Sequence, residues 1–231
     1  MKKNIICLFT LLILTSQIFA LAGFGLNLNQ SLYNVDKSSS ALIVENLEVG
    51  NIIQESFSNG YGVGGYLYVD AIPFIDLDIE GSITGSLYDF KFTSNLGSPI
   101  EEQFGWASSS IYITAKKKLF QLKIPFLAKA KLTGGLGFNS HNSTPMINQK
   151  MLEAVMGGAS NLEGGDLDTD KLVDYLADNN IASSGIHVQG GLQFKVLMFD
   201  SFLFYRQIIA DDLIPGKKGL GSINLRLGMG F

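Results

Sequence analysis

Most of the chain alternates apolar and polar residues with a period of two, the mark of strands with one apolar and one polar face. The last stretch is the clearest. In Leu220–Phe231, Ile223, Leu225, Leu227, Met229 and Phe231 fall on one face, and Ser222, Asn224, Arg226, Gly228 and Gly230 on the other. The same reading predicts seven earlier strands. The first, about Phe24–Tyr33, sets Phe24, Leu26 and Leu28 against Asn27, Asn29 and Ser31. The second, about Gly60–Asp70, sets Tyr61, Val63, Leu67 and Val69 against Tyr66, Tyr68 and Asp70. The third, about Phe74–Phe92, alternates Ile75, Leu77, Ile79 and Ile83 with Asp76, Asp78, Glu80 and Ser82. The fourth, about Gly105–Lys116, opposes Ile111 and Ile113 to Tyr112 and Lys116. The fifth, about Phe120–Phe138, opposes Leu122, Ile124, Ala128, Ala130 and Leu132 to Gln121, Lys123, Lys129 and Lys131. The sixth, about Ser184–Val196, places Ile186, Val188 and Leu192 opposite His187, Gln189 and Gln193. The seventh, about Ser201–Ala210, is apolar on both parities, so its faces stay unassigned.

Short connections follow the second, fourth and sixth strands, near Ala71–Pro73, Lys117–Lys118 and Leu197–Asp200. Long ones follow the first, third, fifth and seventh. That alternation predicts an all-β, up-and-down antiparallel transmembrane β-barrel of eight strands, with short turns at one end and long loops at the other. The loop after the first strand contains Ala41–Val44 and Ile52–Ile53, enough for an added hairpin and ten strands. The loop after the fifth is too long to be structureless in a compact domain. Thr144 and Pro145 predict the start of a helix over Met146–Met156, and Asp166 or Asp168 a cap on Leu167–Asn179.

Composition changes the picture in two ways. Lys2 and Lys3, an apolar run from Ile5 to Leu14, and Ala20-Leu21-Ala22 form a three-part export signal with cleavage after Ala22, leaving one domain from Gly23. The only cysteine, Cys7, lies inside it, so the exported chain carries no disulfide. Beyond the signal no apolar run is long enough for a spanning helix, which leaves strands as the only way across a bilayer. Removing Lys2 and Lys3 changes 17 basic residues to 15 against 21 acidic ones, a net charge of −6, which argues against nucleic acid.

The closing strand, with Leu225, Leu227, Met229 and a terminal Phe231, resembles the assembly signal of bacterial outer-membrane proteins. In strand number and polar interior the chain resembles the small OmpA- and OmpX-like barrels. The resemblance implies an outer-membrane location, outer-membrane lipid and lipopolysaccharide as surroundings, the barrel-assembly machinery as a partner, and a filled interior.

The candidate chemistry is electrostatic. Asp76, Asp78 and Glu80 share one face; Lys123, Lys129, Lys131 and Arg226 occupy corresponding faces on other strands. In a membrane barrel these faces point inward, because a lysine or arginine facing lipid at the midplane costs about 2–4 kcal/mol. The expected result is an ion-pair network that fills a narrow lumen; the alternative is a wet pore for small solutes, or a lateral path for apolar molecules as in OmpW-like barrels. His187 and His141 raise a third possibility, a barrel lipid hydrolase or acyltransferase, but lumen histidines bonded to a neighbour explain them more simply. Asp166, Asp168 and Asp170 begin like a calcium loop, yet Lys171 stands where glycine is required and Ala177 where glutamate is. No metal, cofactor or catalytic residue is expected, and the reading is a structural or surface-interaction protein.

Overall fold

The computed structural model describes residues 22–70, 75–94, 99–124, 128–157, 168–214 and 216–230. The expected export segment up to residue 21, with Ala20, lies outside them, as do Phe231 and Asp166; Ala22 opens the first strand. The strands are β1 (Ala22–Val35), β2 (Ser38–Val44), β3 (Leu47–Gln54), β4 (Phe57–Val69), β5 (Asp76–Ser94), β6 (Ile100–Ile124), β7 (Ala128–Ser143), β8 (Ile181–Val196), β9 (Phe199–Ala210) and β10 (Leu220–Gly230). Between β7 and β8 lie two helices, α1 (Gln149–Met156) and α2 (Thr169–Asp178).

Eight of these strands form a ring. Each of β1, β4, β5, β6, β7, β8, β9 and β10 pairs antiparallel on both sides, and the β5–β6 and β1–β10 ladders complete the circuit. Closure leaves no edge to satisfy, the condition a sheet must meet in hydrocarbon. The outer wall is apolar: Leu26, Leu67, Ile83, Phe138 and Leu227 are all half or more exposed. Their sequence neighbours Asn27, Tyr66, Ser82, Asn139 and Arg226 are buried inside. An apolar outside around a polar inside reverses the order of a water-soluble domain.

The extra hairpin exists but stands outside the ring. β2 and β3 turn through Glu45 and Asn46, both at positive φ (48° and 66°), the geometry that suits the twist of a two-residue hairpin. β3 then pairs Gly50–Gln54 with the far end of β5, where β4 has left it. The long loop after the first predicted strand is thus a β-extension of the barrel wall.

Three boundaries differ from the sequence reading. The turn between the fourth and fifth ring strands is not at Lys117–Lys118: β6 runs on to Ile124, which pairs with Ala128 at the start of β7. Both lysines instead lie inside the β6–β7 ladder, Lys117 opposite Gly134 and Lys118 opposite Thr133. Lys123 therefore belongs to β6. The loop after β5 is shorter than expected, because β5 reaches Ser94 and β6 begins at Ile100. The first loop helix starts later. Asn148, not Thr144, caps α1, accepting from Met151 N at 3.0 Å; Thr144 instead finishes the β7 edge by hydrogen bonds to Ala107 N and O. Asp168 caps α2 as expected, accepting from Asp170 N and Lys171 N.

The interior has layers. Near the loop end an apolar cluster fills the ring, with Tyr33, Phe57, Tyr88, Trp106, Tyr112, Ile208 and Leu213 at its centre. Tyr33 meets Phe57 and Trp106 edge-on, and Phe57 stacks on Tyr88. Above it, α1 buries Leu152 and Met156 against Leu42, Ile52, Phe90 and Phe92 on the β2–β3–β5 extension. Gln149 holds that helix to β2, accepting from Ile43 N at 3.1 Å and donating to Ile43 O at 2.7 Å. Nearer the short turns, Tyr66, Tyr68, Phe202 and Phe204 form a second aromatic group. The charges lie around it.

Candidate functional site

The lumen's central feature is a cluster of five ionic side chains. Glu80 on β5 accepts two hydrogen bonds from Arg206 on β9, at 3.1 and 2.8 Å, and a short one from Arg226 on β10. Arg226 also donates to Asp78 at 2.7 Å. Lys116 on β6 lies 2.9 Å from the other Asp78 oxygen, an ion pair whose angle falls outside hydrogen-bond geometry. Asn27 on β1 donates to Glu80 at 3.0 Å, and Gln189 on β8 accepts from Arg206 Nε at 3.0 Å. Asp78, Glu80, Arg206 and Arg226 are each 1% exposed or less.

Period-two geometry puts these groups there. Asp78 and Glu80 flank outward Ile79; Arg226 lies between outward Leu225 and Leu227. The charges therefore stand directly behind the apolar wall. Aromatic rings hold the guanidinium planes: Arg206 sits 3.8 Å over Tyr112, and Arg226 lies 4.7 Å from Tyr66 and 4.8 Å from Phe204. Lys116 Nζ is 4.9 Å from the Phe202 ring. Desolvated cation–π contacts of this kind are worth up to about 2 kcal/mol.

Two smaller groups lie toward the short turns. Lys131 donates to Asp70 at 2.8 Å and lies 3.8 Å from Asp76. Asp200 accepts from Tyr68 and from Gln193 at 2.9 Å, with Lys195 at 3.8 Å; Lys195 donates to Gly230 O at 2.9 Å.

Of the residues singled out from sequence, Asp78, Glu80 and Arg226 come together. Asp76 and Lys131 meet in the separate rim group. Lys129 is half-buried and forms no ion pair among the described residues, and Lys123 lies exposed at the end of β6, away from the cluster. Sequence reading missed Arg206, the second arginine on Glu80. It lies on the strand with no readable faces, because Phe202, Phe204 and Ile208 point inward beside it. Its parity with Asp200 was the available signal: two charges six residues apart share a strand face. Of the closing-strand positions, Leu225, Leu227 and Met229 face outward.

The histidines are buried among polar neighbours of the lumen wall. His187 Nε2 lies 2.9 Å from Thr114 Oγ1, edge-on to Tyr112. Gly137 leaves the room it needs, since a Cβ there would come 2.7 Å from His187 Cε1. His141 Nδ1 lies 2.7 Å from Ser110 Oγ, and its Nε2 lies 3.0 Å from Asn139 Oδ1. A serine, a histidine and an orienting amide are the parts of an acyl-transfer set. Here all three are buried in the lumen wall, and Tyr112 lies edge-on to the imidazole. They act as a wall-to-wall tie between β6 and β7.

No family model matches the chain, and no curated protein matches it. Solved structures do. The Ail attachment invasion locus protein of Yersinia pestis, crystallised with the heparin analogue sucrose octasulfate, is similar at 10% identity and a TM-score of 0.44, over 92% of this chain and 99% of that one. The N-terminal β-barrel domain of Pseudomonas aeruginosa OprF is similar at 8% identity and 0.41, over 90% and 99%. Neisserial surface protein A is similar at 13% identity and 0.39, over 90% and 97%. These neighbours are outer-membrane β-barrels. The chain itself is a closed ring of eight antiparallel strands with an apolar outer wall and a polar interior.

Proposed function

We propose that this protein is an integral barrel of the bacterial outer membrane with a structural and surface-interaction role, and that its lumen does not conduct. The observation that carries the reading is the interior filling: Arg206 and Arg226 clamp Glu80 and Asp78 between aromatic rings, and the Tyr33–Trp106 apolar layer stands between that cluster and the loops. A narrow eight-stranded ring is small enough for side chains to fill. The β2–β3 extension and the two loop helices then form the part available to the medium, while outer-membrane lipid and lipopolysaccharide surround the wall. Export through the 1–22 signal, cleavage between Ala20-Leu21-Ala22 and Gly23, and recognition of Leu225, Leu227, Met229 and Phe231 by the assembly machinery complete this proposal.

Single-channel recording of the folded barrel in planar bilayers tests it. A silent membrane is expected. Steady conductance steps from the unmodified protein would overturn the filled-lumen reading in favour of small-solute transport. No catalytic role is assigned, and phospholipid hydrolysis or acyl transfer by the pure barrel would contradict that.

A further inference from the structure

Lys117 stands on the wrong side of the wall. Lys116 points into the lumen and pairs with Asp78, so period-two geometry turns its neighbour outward, where Lys117 pairs in register with Gly134 of β7. It is exposed, and no described carboxylate forms an ion pair with it. Beside it the wall is hollow. Ile75, Ala115, Lys117, Gly134 and Leu136 line a shallow depression of about 340 Å³ on the outer face. Gly134 floors it between outward Leu132 and Leu136, and it pairs onward with Gly190 of β8, which carries the side-chain-free surface to the next strand. A Cβ at either position would meet nothing closer than 3.5 Å; backbone crowding does not demand glycine there. The hollow is open space.

A lysine facing hydrocarbon is unfavourable at the midplane and nearly free of cost at the interface. Lys117 belongs to the part of the wall near the short turns. Lys118 and Lys123, both exposed, follow it on the same strand, and Leu119, Phe120, Leu122 and Ile124 present apolar surface among them. The opposite end of the molecule is acidic: Glu45, Glu48, Glu102, Asp170 and Asp174 are exposed there. A cation beside a shallow apolar groove, continued by a basic hairpin end, is complementary to one kind of occupant.

We propose that Lys117 and the Gly134–Gly190 groove bind an anionic phospholipid of the leaflet at the short-turn rim, with the ammonium on the phosphate and one acyl chain along the glycines. The proposal rests on the membrane-barrel reading and specifies which lipid the wall selects. The test uses the folded full chain in zwitterionic phosphatidylcholine bilayers doped with phosphatidylglycerol, extracted gently and weighed with its bound lipid by native mass spectrometry. Wild type should retain phosphatidylglycerol preferentially. Lys117→Gln should weaken retention about fivefold, as expected for the loss of about 1 kcal/mol per lysine at an anionic surface. Lys117→Arg should keep it, and Gly134→Leu should lose it by filling the groove with no change of charge. Lys91→Gln, at the opposite rim and paired with Glu101, should have no effect. Insertion with equal retention of both lipids, or retention unchanged by Lys117→Gln and Gly134→Leu, overturns the site and leaves the barrel reading standing. A protein that fails to enter either bilayer overturns both.

Discussion

Glu80→Ala is the most informative single change. The central cluster holds three cations, Arg206, Arg226 and Lys116, against two carboxylates, Asp78 and Glu80. Removing Glu80 leaves three positive groups facing one negative group, behind the apolar wall. Breaking a buried pair costs about 3–5 kcal/mol, and here one carboxylate serves both guanidinium groups, so the upper part of that range is expected. Arg206→Ala leaves Arg226 on Glu80 and restores charge balance, yet it also loses the stacking on Tyr112 and the bond to Gln189. About 2–4 kcal/mol follows from breaking the pair and losing that ring contact. Lys116→Met also leaves two charges against two, with an apolar stem beside Phe202, and should cost about 1 kcal/mol or less, as volume-matched apolar replacement of a buried ion tends to. Reversible urea unfolding in lipid vesicles, followed by the heat-modifiable gel shift, gives the differences. The double variant Glu80→Ala with Arg206→Ala should cost less than the two singles together, with a coupling of about 1–3 kcal/mol. Additivity within about 0.5 kcal/mol, or Lys116→Met as damaging as Glu80→Ala, would show that water already screens the cluster, and the sealed-lumen reasoning would fail.

Other outcomes follow from the same geometry. Trp106, the only tryptophan, lies in the apolar layer at 3% exposure, so folded protein should emit at short wavelength and resist acrylamide quenching; quenching as in water would mean that the layer is open. Gly137→Val should displace His187 from Thr114 and destabilise the β7–β8 ladder, read as an earlier gel-shift transition; an unchanged transition would contradict the close approach. The Asp168 carboxyl is held below the ordinary carboxylate range, first by the Lys171 backbone N–H it accepts from. Its cap is therefore complete above the ordinary value and lost as pH falls through the lowered one, so the protection of the Asp170 and Lys171 amides, their slowing relative to the free-peptide exchange rate at the same pH, should fall on acidification. Asp168→Ala should show that low protection already at neutral pH, and equal protection in both proteins would refute the cap's role. Phe231→Ser should reduce the folded fraction without altering synthesis; undiminished insertion would remove the reason to read the closing strand as an assembly signal.

The sequence and the fold agree where one face of a strand differs chemically from the other. β1, β5 and β10 carry outward-facing Leu, Ile and Phe against Asn, Asp, Glu and Arg, so their walls were legible, and with them the ring. β9 was not, because its inward set includes Phe202, Phe204 and Ile208 with one arginine among them. A lumen filled by rings erases the contrast on which period-two reading depends. Partners across the lumen were also beyond reach: Arg206 and Arg226 approach Glu80 from strands that are not adjacent to β5, and nothing local encodes that distance. The Lys116–Lys118 run misled for a physical reason as well. A run of charge usually marks a solvated turn, but here one lysine goes to Asp78 inside and the next goes outward.

The separations within the central cluster bear on how the chain enters a bilayer. Glu80 is 126 residues from Arg206 and 146 from Arg226, and Asp78 is 148 from Arg226. No hairpin taken alone contains Glu80 with either of its arginines; only Asp78 meets a base, Lys116, on the next strand. A β4–β5 hairpin placed in hydrocarbon would expose Asp78 and Glu80 with nothing opposite, and a β9–β10 hairpin would expose two bare guanidinium groups. Glu80 is neutralised only when the first half of the chain meets the last two strands. In the membrane barrel proposed above, the ionic lumen therefore opposes piecemeal insertion: gathering and nearly closing the strands in a wet or sheltered place before they enter the bilayer together avoids the cost of bare charges. A chain truncated before β9 should stall as an unfolded species outside the membrane and leave no partly inserted barrel behind.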